Sequence, residues 1–169
     1  MNLIQTAQQY ATRCHANCNH LYDQHPYAFH LAMVAAAAQE LSQDYDESSQ
    51  SLIIAAAWCH DLIEDARETY NDVKKVVGEE VAEIVYALTN EKGRTRAERA
   101  NSKYYEGIKA TPYATLVKVC DRIANVRHSL NQKGRMYDIY AQEYPDFKGK
   151  LYVQGQYEAA WQILDALFA

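Results

Sequence analysis

Apolar residues recur at helical spacing almost without interruption along these 169 residues, and that periodicity confines the chain to an all-α architecture. The clearest stretch places Val81, Ile84, Val85 and Leu88 at i, i+3, i+4 and i+7, one continuous apolar face. Breakers are scarce. Only 6 Gly and 3 Pro occur, which disfavours a turn-rich β-sandwich, a collagen-like chain or a flexible linker. The spacing predicts helices over Leu3–Leu21, Tyr27–Leu41 and Ser49–Glu64, with Asp44, Asp46 and Ser48 in a polar connector. Thr69 is placed to cap a short helix running to Val77, and Gly78 to stop it. Beyond the 81–88 face and a polar loop over Thr89–Thr95, helices are predicted over Arg96–Lys109 and Tyr113–Leu130. Thr111-Pro112 marks the boundary between those two. Met136–Tyr144 and Gly149–Phe168 follow, split around Pro145. No alternating strand pattern or internal repeat is visible. The expectation is a bundle of roughly eight helices forming one domain over residues 1–169.

The charge balance narrows the ligand. Net charge is −5, and no basic run occurs, so a nucleic-acid backbone is not an expected partner. An anionic ligand would need a local attractor, and a bound metal cation supplies one. The longest apolar stretches, such as Ala35–Ala38 and Ile53–Trp58, are far shorter than the ~20 residues of a membrane span. The first residues carry polar groups where a signal peptide has its apolar core. A soluble, cytoplasmic protein is expected, and the sequence is silent on its oligomeric state. Four cysteines do not make a disulfide scaffold, and reduced thiols are expected. Cys14, His15, Cys18 and His20 invite a zinc reading, but no second Cys pair follows at finger spacing.

The chemistry concentrates in WCHDLIEDA, residues 58–66. His60 and Asp61 end an apolar helix, and Glu64 and Asp65 follow four residues after each, on the same faces. Three carboxylates so close repel one another unless a cation sits among them. An HD dipeptide alone reads as a solvated helix end. Two further elements count against that reading. His30 lies in the apolar segment FHLAMVAAAA, and Asp121 interrupts LVKVCDRIANV. His30, His60, Asp61 and Asp121 together form a mixed nitrogen and oxygen ligand set drawn from three helices, suited to one Mn²⁺, Fe²⁺ or Zn²⁺ with open positions for water. No second such set is present. Lys118, Asn125 and His128 share the helical stripe of Asp121, where they can hold a substrate beside the metal. Arg122 and Arg127 fall off that stripe and read as supporting or surface ion pairs. Glu64 and Asp65 sit one turn beyond His60 and Asp61, placed to take a proton from an attacking water or to orient it. A dipole of a helix ending there disfavours carboxylates without such a purpose.

The order His30, His60-Asp61, Asp121 resembles the signature of the HD-superfamily metal-dependent phosphohydrolases. The local text is similar to the RelA/SpoT-type alarmone hydrolase domain. The matching elements are Pro26-Tyr27-x-x-His30, His60-Asp61-x-x-Glu64-Asp65, the Gly78–Thr89 segment, and Val117-Lys118-x-x-Asp121-Arg122-x-x-Asn125-x-Arg127. They stand in the family's order over roughly residues 5–130, and the length resembles the small, hydrolase-only members. The resemblance implies an all-helical fold and hydrolysis of the 3′-diphosphate of guanosine tetra- or pentaphosphate, usually with Mn²⁺. It implies metal ligation by His30, His60, Asp61 and Asp121, catalysis by Glu64 and Asp65, and a substrate-side role for Asn125. It also implies that Arg13 packs near the base. Departures from the family surround the expected nucleotide pocket. Ala16–His25 carries no Lys, Arg or Gly, Cys14 stands where a basic residue is common, Leu31 replaces a proline, and His128 replaces a small polar residue. None of them removes a metal ligand. Two other readings remain at this stage: an HD phosphohydrolase of another nucleotide or small phosphoester, and an inactive metal-binding regulatory module.

Overall fold

The computed structural model describes residues 1–132 and 134–169. Among them the chain forms α1 (Leu3–Asn17), a hairpin of β1 (Leu21–Tyr22) and β2 (His25–Pro26), α2 (Ala28–Leu41), α3 (Glu47–Cys59) and α4 (Leu62–Asp65). These are followed by α5 (Tyr70–Val77), α6 (Glu79–Leu88), α7 (Arg96–Arg99), α8 (Ser102–Ala110), α9 (Ala114–Asn131), α10 (Met136–Leu151) and α11 (Glu158–Leu167). The fold is all-α, and the two-residue strands are its only sheet among the described residues.

An apolar helix is central. In α3, Ile53 through Cys59 are all buried, and α1, α2, α6 and α9 pack around it. Such a helix, apolar on every side, is stable only inside a bundle. α5 and α6 form a hairpin on one flank, while α10 and α11 pack on α9 at the other. Starts are chemically marked. Asn2 with Gln5, Thr69 with Asp72 and Thr95 with Glu98 form reciprocal capping boxes, and Asp46 and Asn101 cap α3 and α8. The Thr69 cap and the Gly78 stop fall where the sequence predicts them. Gly78 takes φ +92° and ψ 168°, a conformation close to glycine-only.

Five boundaries differ from expectation; one is the last helix, α11, which begins at Glu158 instead of Gly149 because Gly149–Leu151 complete α10. α1 stops at Asn17 instead of Leu21, because the polar run Asn17–His20 offers no apolar face to continue it. Asn19 and Asp23 adopt positive φ, and the chain doubles back as the hairpin, pairing Leu21 with Pro26 and Tyr22 with His25. The helix through His60 breaks at Asp61, whose φ of −103° and ψ of 6° are not helical, and restarts as the single turn α4. Arg96–Lys109 splits where Asn101 caps α8. α10 continues through Pro145, which removes one helical hydrogen bond. Continuing carries Phe147 and Leu151, two and six residues on, into the core and so offsets that loss.

Candidate active site

Three helices that pack on one another deliver the central residues. His30 lies in the first turn of α2, His60 caps the C-terminus of α3, and Asp121 is mid-way along α9. All three side chains are buried, and their ligand-type atoms lie within 4.8 Å of one another. His30 Nε2 is 3.2 Å from Asp121 Oδ1, and His60 Nε2 is 3.6 Å from the same oxygen. Asp61 is half-buried beside them, with Oδ2 2.9 Å from His60 Nε2 and 4.0 Å from His30 Nε2. That oxygen also accepts the phenol hydrogen of Tyr27.

These residues fit a divalent cation. His60 Nδ1 is 2.8 Å from the Ala57 carbonyl, a contact that assigns the proton to Nδ1 when the ring is neutral, as in a metal ligand. Nε2 then presents its lone pair to the cluster, and it is a buried atom with no hydrogen-bond partner. The electrostatics agree. Burial disfavours charge on His60, yet Asp61 and Asp121 outweigh it and raise the ring well above the ordinary histidine range. Burial likewise opposes ionisation of both carboxylates. The His60 charge nevertheless holds Asp61 below the usual range, and Lys118 with the two histidines holds Asp121 well below it. A pocket that stabilises a proton between carboxylates stabilises a dication there more strongly. Cys14, His15, Cys18 and His20 form no comparable group among the described residues, and all four cysteines are free thiols.

The α9 stripe surrounds Asp121. Lys118 Nζ lies 3.0 Å from Asp121 Oδ2, and Asn125 Nδ2 donates to Oδ1 at 2.8 Å. Tyr22 Oη, from the hairpin, donates to Asn125 Oδ1 at 2.7 Å. Burial penalises the Lys118 charge, but Tyr104, Asp121 and Asp61 more than restore it. A cleft of about 530 Å³ opens over the cluster, and Glu64, Asp65, Lys118 and Asn125 line it. His128 lies instead in an adjoining cleft of about 640 Å³, which shares Asn125 and Tyr140 as walls; there its Nε2 meets Asp23 Oδ2 at 2.6 Å. Arg13 is exposed on α1 and is not among the residues lining either cleft.

Glu64 and Asp65 belong to α4, not to the end of a longer helix, so the dipole argument made for them no longer applies. Glu64 is anchored: the Asn90 backbone N–H and side-chain amide donate to its two oxygens at 3.0 and 2.9 Å. Asp65 faces the cleft. Partial desolvation, followed by the charges of Asp61 and Glu64, pushes its carboxyl up to about 6.

Asn90, Arg96 and Glu143 line the cleft and escape sequence reasoning. Asn90 sits in a polar loop without a pattern. Arg122, expected off the Asp121 stripe as a supporting or surface ion pair, is buried over the rings of Tyr140 and Phe147 at 4.9 and 4.5 Å and pairs with Glu143 at 2.8 Å. Glu143 also takes Arg96, and both arginines line the cleft. Arg127 makes an outlying pair with Glu40 at 3.7 Å. Only Tyr27 and Arg122 carry a sequence signal, as neighbours of His30 and Asp121 in the quoted motifs.

The HD domain family model matches residues 7–146. The chain belongs to the HD domain family. Among curated HD relatives, the guanosine-3′,5′-bis(diphosphate) 3′-pyrophosphohydrolase of Aquifex aeolicus (strain VF5) is 34% identical over 128 residues, 73% of this chain and 17% of that protein. The guanosine-3′,5′-bis(diphosphate) 3′-pyrophosphohydrolase MESH1 of Drosophila melanogaster is 28% identical over 102 residues, 60% of this chain and 55% of that one. The chain thus spans from about a sixth to about half the length of these relatives. A solved structure of a metazoan orthologue of SpoT, described as hydrolysing ppGpp, superposes with a TM-score of 0.78 at 22% identity, over 99% of this chain and 94% of that one. The HD fold is therefore shared along the whole chain.

Proposed function

We propose that this chain is a divalent-metal-dependent phosphohydrolase that removes a phosphate or diphosphate from the ribose of a small nucleotide, with guanosine 3′,5′-bis(diphosphate) as first candidate. The observation that carries the reading is the buried His30, His60 and Asp121 cluster at the floor of a cleft that also holds Glu64, Asp65 and Lys118. The names of the curated relatives support the nucleotide and the 3′-pyrophosphohydrolase reaction.

In this reading His30, His60, Asp61 and Asp121 hold one ion, with Mn²⁺ the first to test and Fe²⁺ or Zn²⁺ compatible with the same donors. Such an ion supplies an acidified water and polarises a phosphoryl oxygen. Asp65, with its carboxyl near 6, accepts the proton of the attacking water and can return one to the departing ribose oxygen. Glu64, fixed by Asn90, orients that water through a hydrogen bond. Lys118 and the cleft arginines Arg96 and Arg122 offset the phosphate charge. Asn125 faces the ribose, and His128 borders the adjoining cleft where the rest of the nucleotide lies. The base-side role implied for Arg13 is not part of this reading, because Arg13 stands away from both clefts. Water adds to phosphorus, the phosphorus–oxygen bond to the ribose breaks, and the products are the nucleoside hydroxyl and pyrophosphate or phosphate.

A second reading, an HD phosphohydrolase of another nucleotide or small phosphoester, is favoured by the hairpin. It brings Asp23, and no Lys or Arg, to the cleft on the nucleotide side. An inactive metal-binding module is disfavoured, since binding alone has no use for the anchored Glu64 and the adjacent Asp65. Partners are taken to be small molecules in the cytoplasm, without nucleic acid or membrane.

The test is a substrate panel with Mn²⁺: guanosine 3′-diphosphate 5′-diphosphate, its adenosine counterpart, and 5′-monophosphates. Pyrophosphate released from the 3′-position supports the first reading. Preference for 5′-monophosphates overturns it in favour of the second, and no turnover of any member overturns both.

A further inference from the structure

We propose that Tyr27 is a positioning residue whose phenol sets the orientation of the Asp61 carboxylate and thereby the affinity of the centre for a divalent ion. The inference rests on the metal reading given above.

Asp61 receives no orientation from its own backbone. It lies between α3 and α4 in a non-helical conformation, and its side chain caps no helix N–H. Its orienting donor is external: Tyr27 Oη donates to Oδ2, whereas His60 Nε2, 2.9 Å from the same oxygen, offers its lone pair to an ion when the ring is neutral. Left to torsional freedom, an aspartate on a short linker samples several rotamers, and a ligand that must first be ordered binds its ion more weakly.

Tyr27 itself is held by packing. Its ring is buried in a stack of imidazoles, 3.8 Å from His20 at 13° and 4.5 Å from His15 at 24°. The two histidines meet through their Nδ1 atoms at 2.9 Å, which ties the end of α1 to the start of the hairpin. The Tyr27 N–H donates to the His20 carbonyl at 3.1 Å. A buried ring packed against two mutually bonded imidazoles, with its own backbone N–H held by His20, keeps its hydroxyl on Asp61. The bond occupies one lone pair of Oδ2. It leaves Oδ1 and the remaining lone pair of Oδ2 for an ion or its water. The segment bearing His15 and His20 thereby acts on the centre through one phenol, although neither imidazole belongs to the metal-ligand group.

The test strips the wild type and Tyr27→Phe of metal with a chelator, titrates each with Mn²⁺ by calorimetry, and records thermal melts of both stripped proteins. The expected result is an affinity lowered about 10–100-fold, as for other partners of metal ligands, with the melting temperature of the stripped protein unchanged. Equal Mn²⁺ affinity overturns the inference. So does a weaker affinity accompanied by a lowered melting temperature of the stripped protein, which would make Tyr27 a packing residue only. If Tyr27→Phe does not fold, His20→Phe keeps the hydroxyl and alters the packing against the Tyr27 ring; weaker Mn²⁺ binding supports the inference and unchanged binding overturns it. A wild type that takes up no Mn²⁺ defeats the metal reading itself, a result distinct from a wild type and a variant that bind alike.

Discussion

Asp121 is held from two sides of its own helix, by Lys118 one turn before it and Asn125 one turn after, while His30 and His60 approach the same carboxylate from α2 and α3. That arrangement fixes the carboxylate but leaves the neighbouring acids with different tasks. Glu64 has both oxygens engaged by Asn90, whereas Asp65 is free to exchange a proton. Asp65→Asn should therefore keep bound Mn²⁺ and lower turnover by ~10²–10⁴-fold, with near-normal turnover removing Asp65 from the proposed mechanism. Asn90→Ala should release Glu64; the expected outcome is a lower kcat with metal content unchanged, and kinetics equal to wild type would show that the anchor has no effect. At this scale the His and Asp residues were legible because each stands out against an apolar helix. Asn90 was not, since its two bonds exist only after a loop folds back over α4.

Elements were legible where local chemistry decides them and less so where tertiary packing does. Thr69 and Gly78 bound α5 because a cap and a positive-φ residue act within one turn. The extent of α10 depends instead on Phe147 and Leu151 finding the core, and Pro145 alone points the other way. The hairpin was hidden for a similar reason. Two residues per strand leave no alternation to read, and its stability comes from Tyr22 on Asn125 and Asp23 on His128. The break between α3 and α4 is the most consequential of the misread boundaries, since it turns Asp61 out of a helix and into reach of Tyr27. Gly78→Ala gives an element-scale test. A Cβ there meets nothing within 4 Å, so only backbone strain remains. The variant should lose about 1–3 kcal/mol of stability by chemical denaturation, and an unchanged midpoint would contradict the boundary.

At the scale of the whole molecule, the all-α bundle was readable from periodicity, but the convergence of α2, α3 and α9 was carried by motif order and not by physics. Folding buries His15, which holds its imidazole down at about 4, against 6.5 for the free side chain. Between those values the unfolded chain binds more protons than the folded one. Stability is thus retained above pH 6.5 and falls as pH drops from 6.5 toward 4, by up to a few kcal/mol. Denaturation midpoints across that window in wild type and His15→Phe, the latter expected to show a flatter profile, check this; parallel profiles would contradict it. A divalent ion that binds only the folded state must also raise the melting temperature with concentration. The most direct measurement is the metal content of purified protein after saturation with Mn²⁺ and removal of the excess. The account predicts about one equivalent in wild type, lost in both His60→Ala and Asp121→Ala variants that remain folded. Retention of that equivalent in either variant would contradict the assignment of the centre.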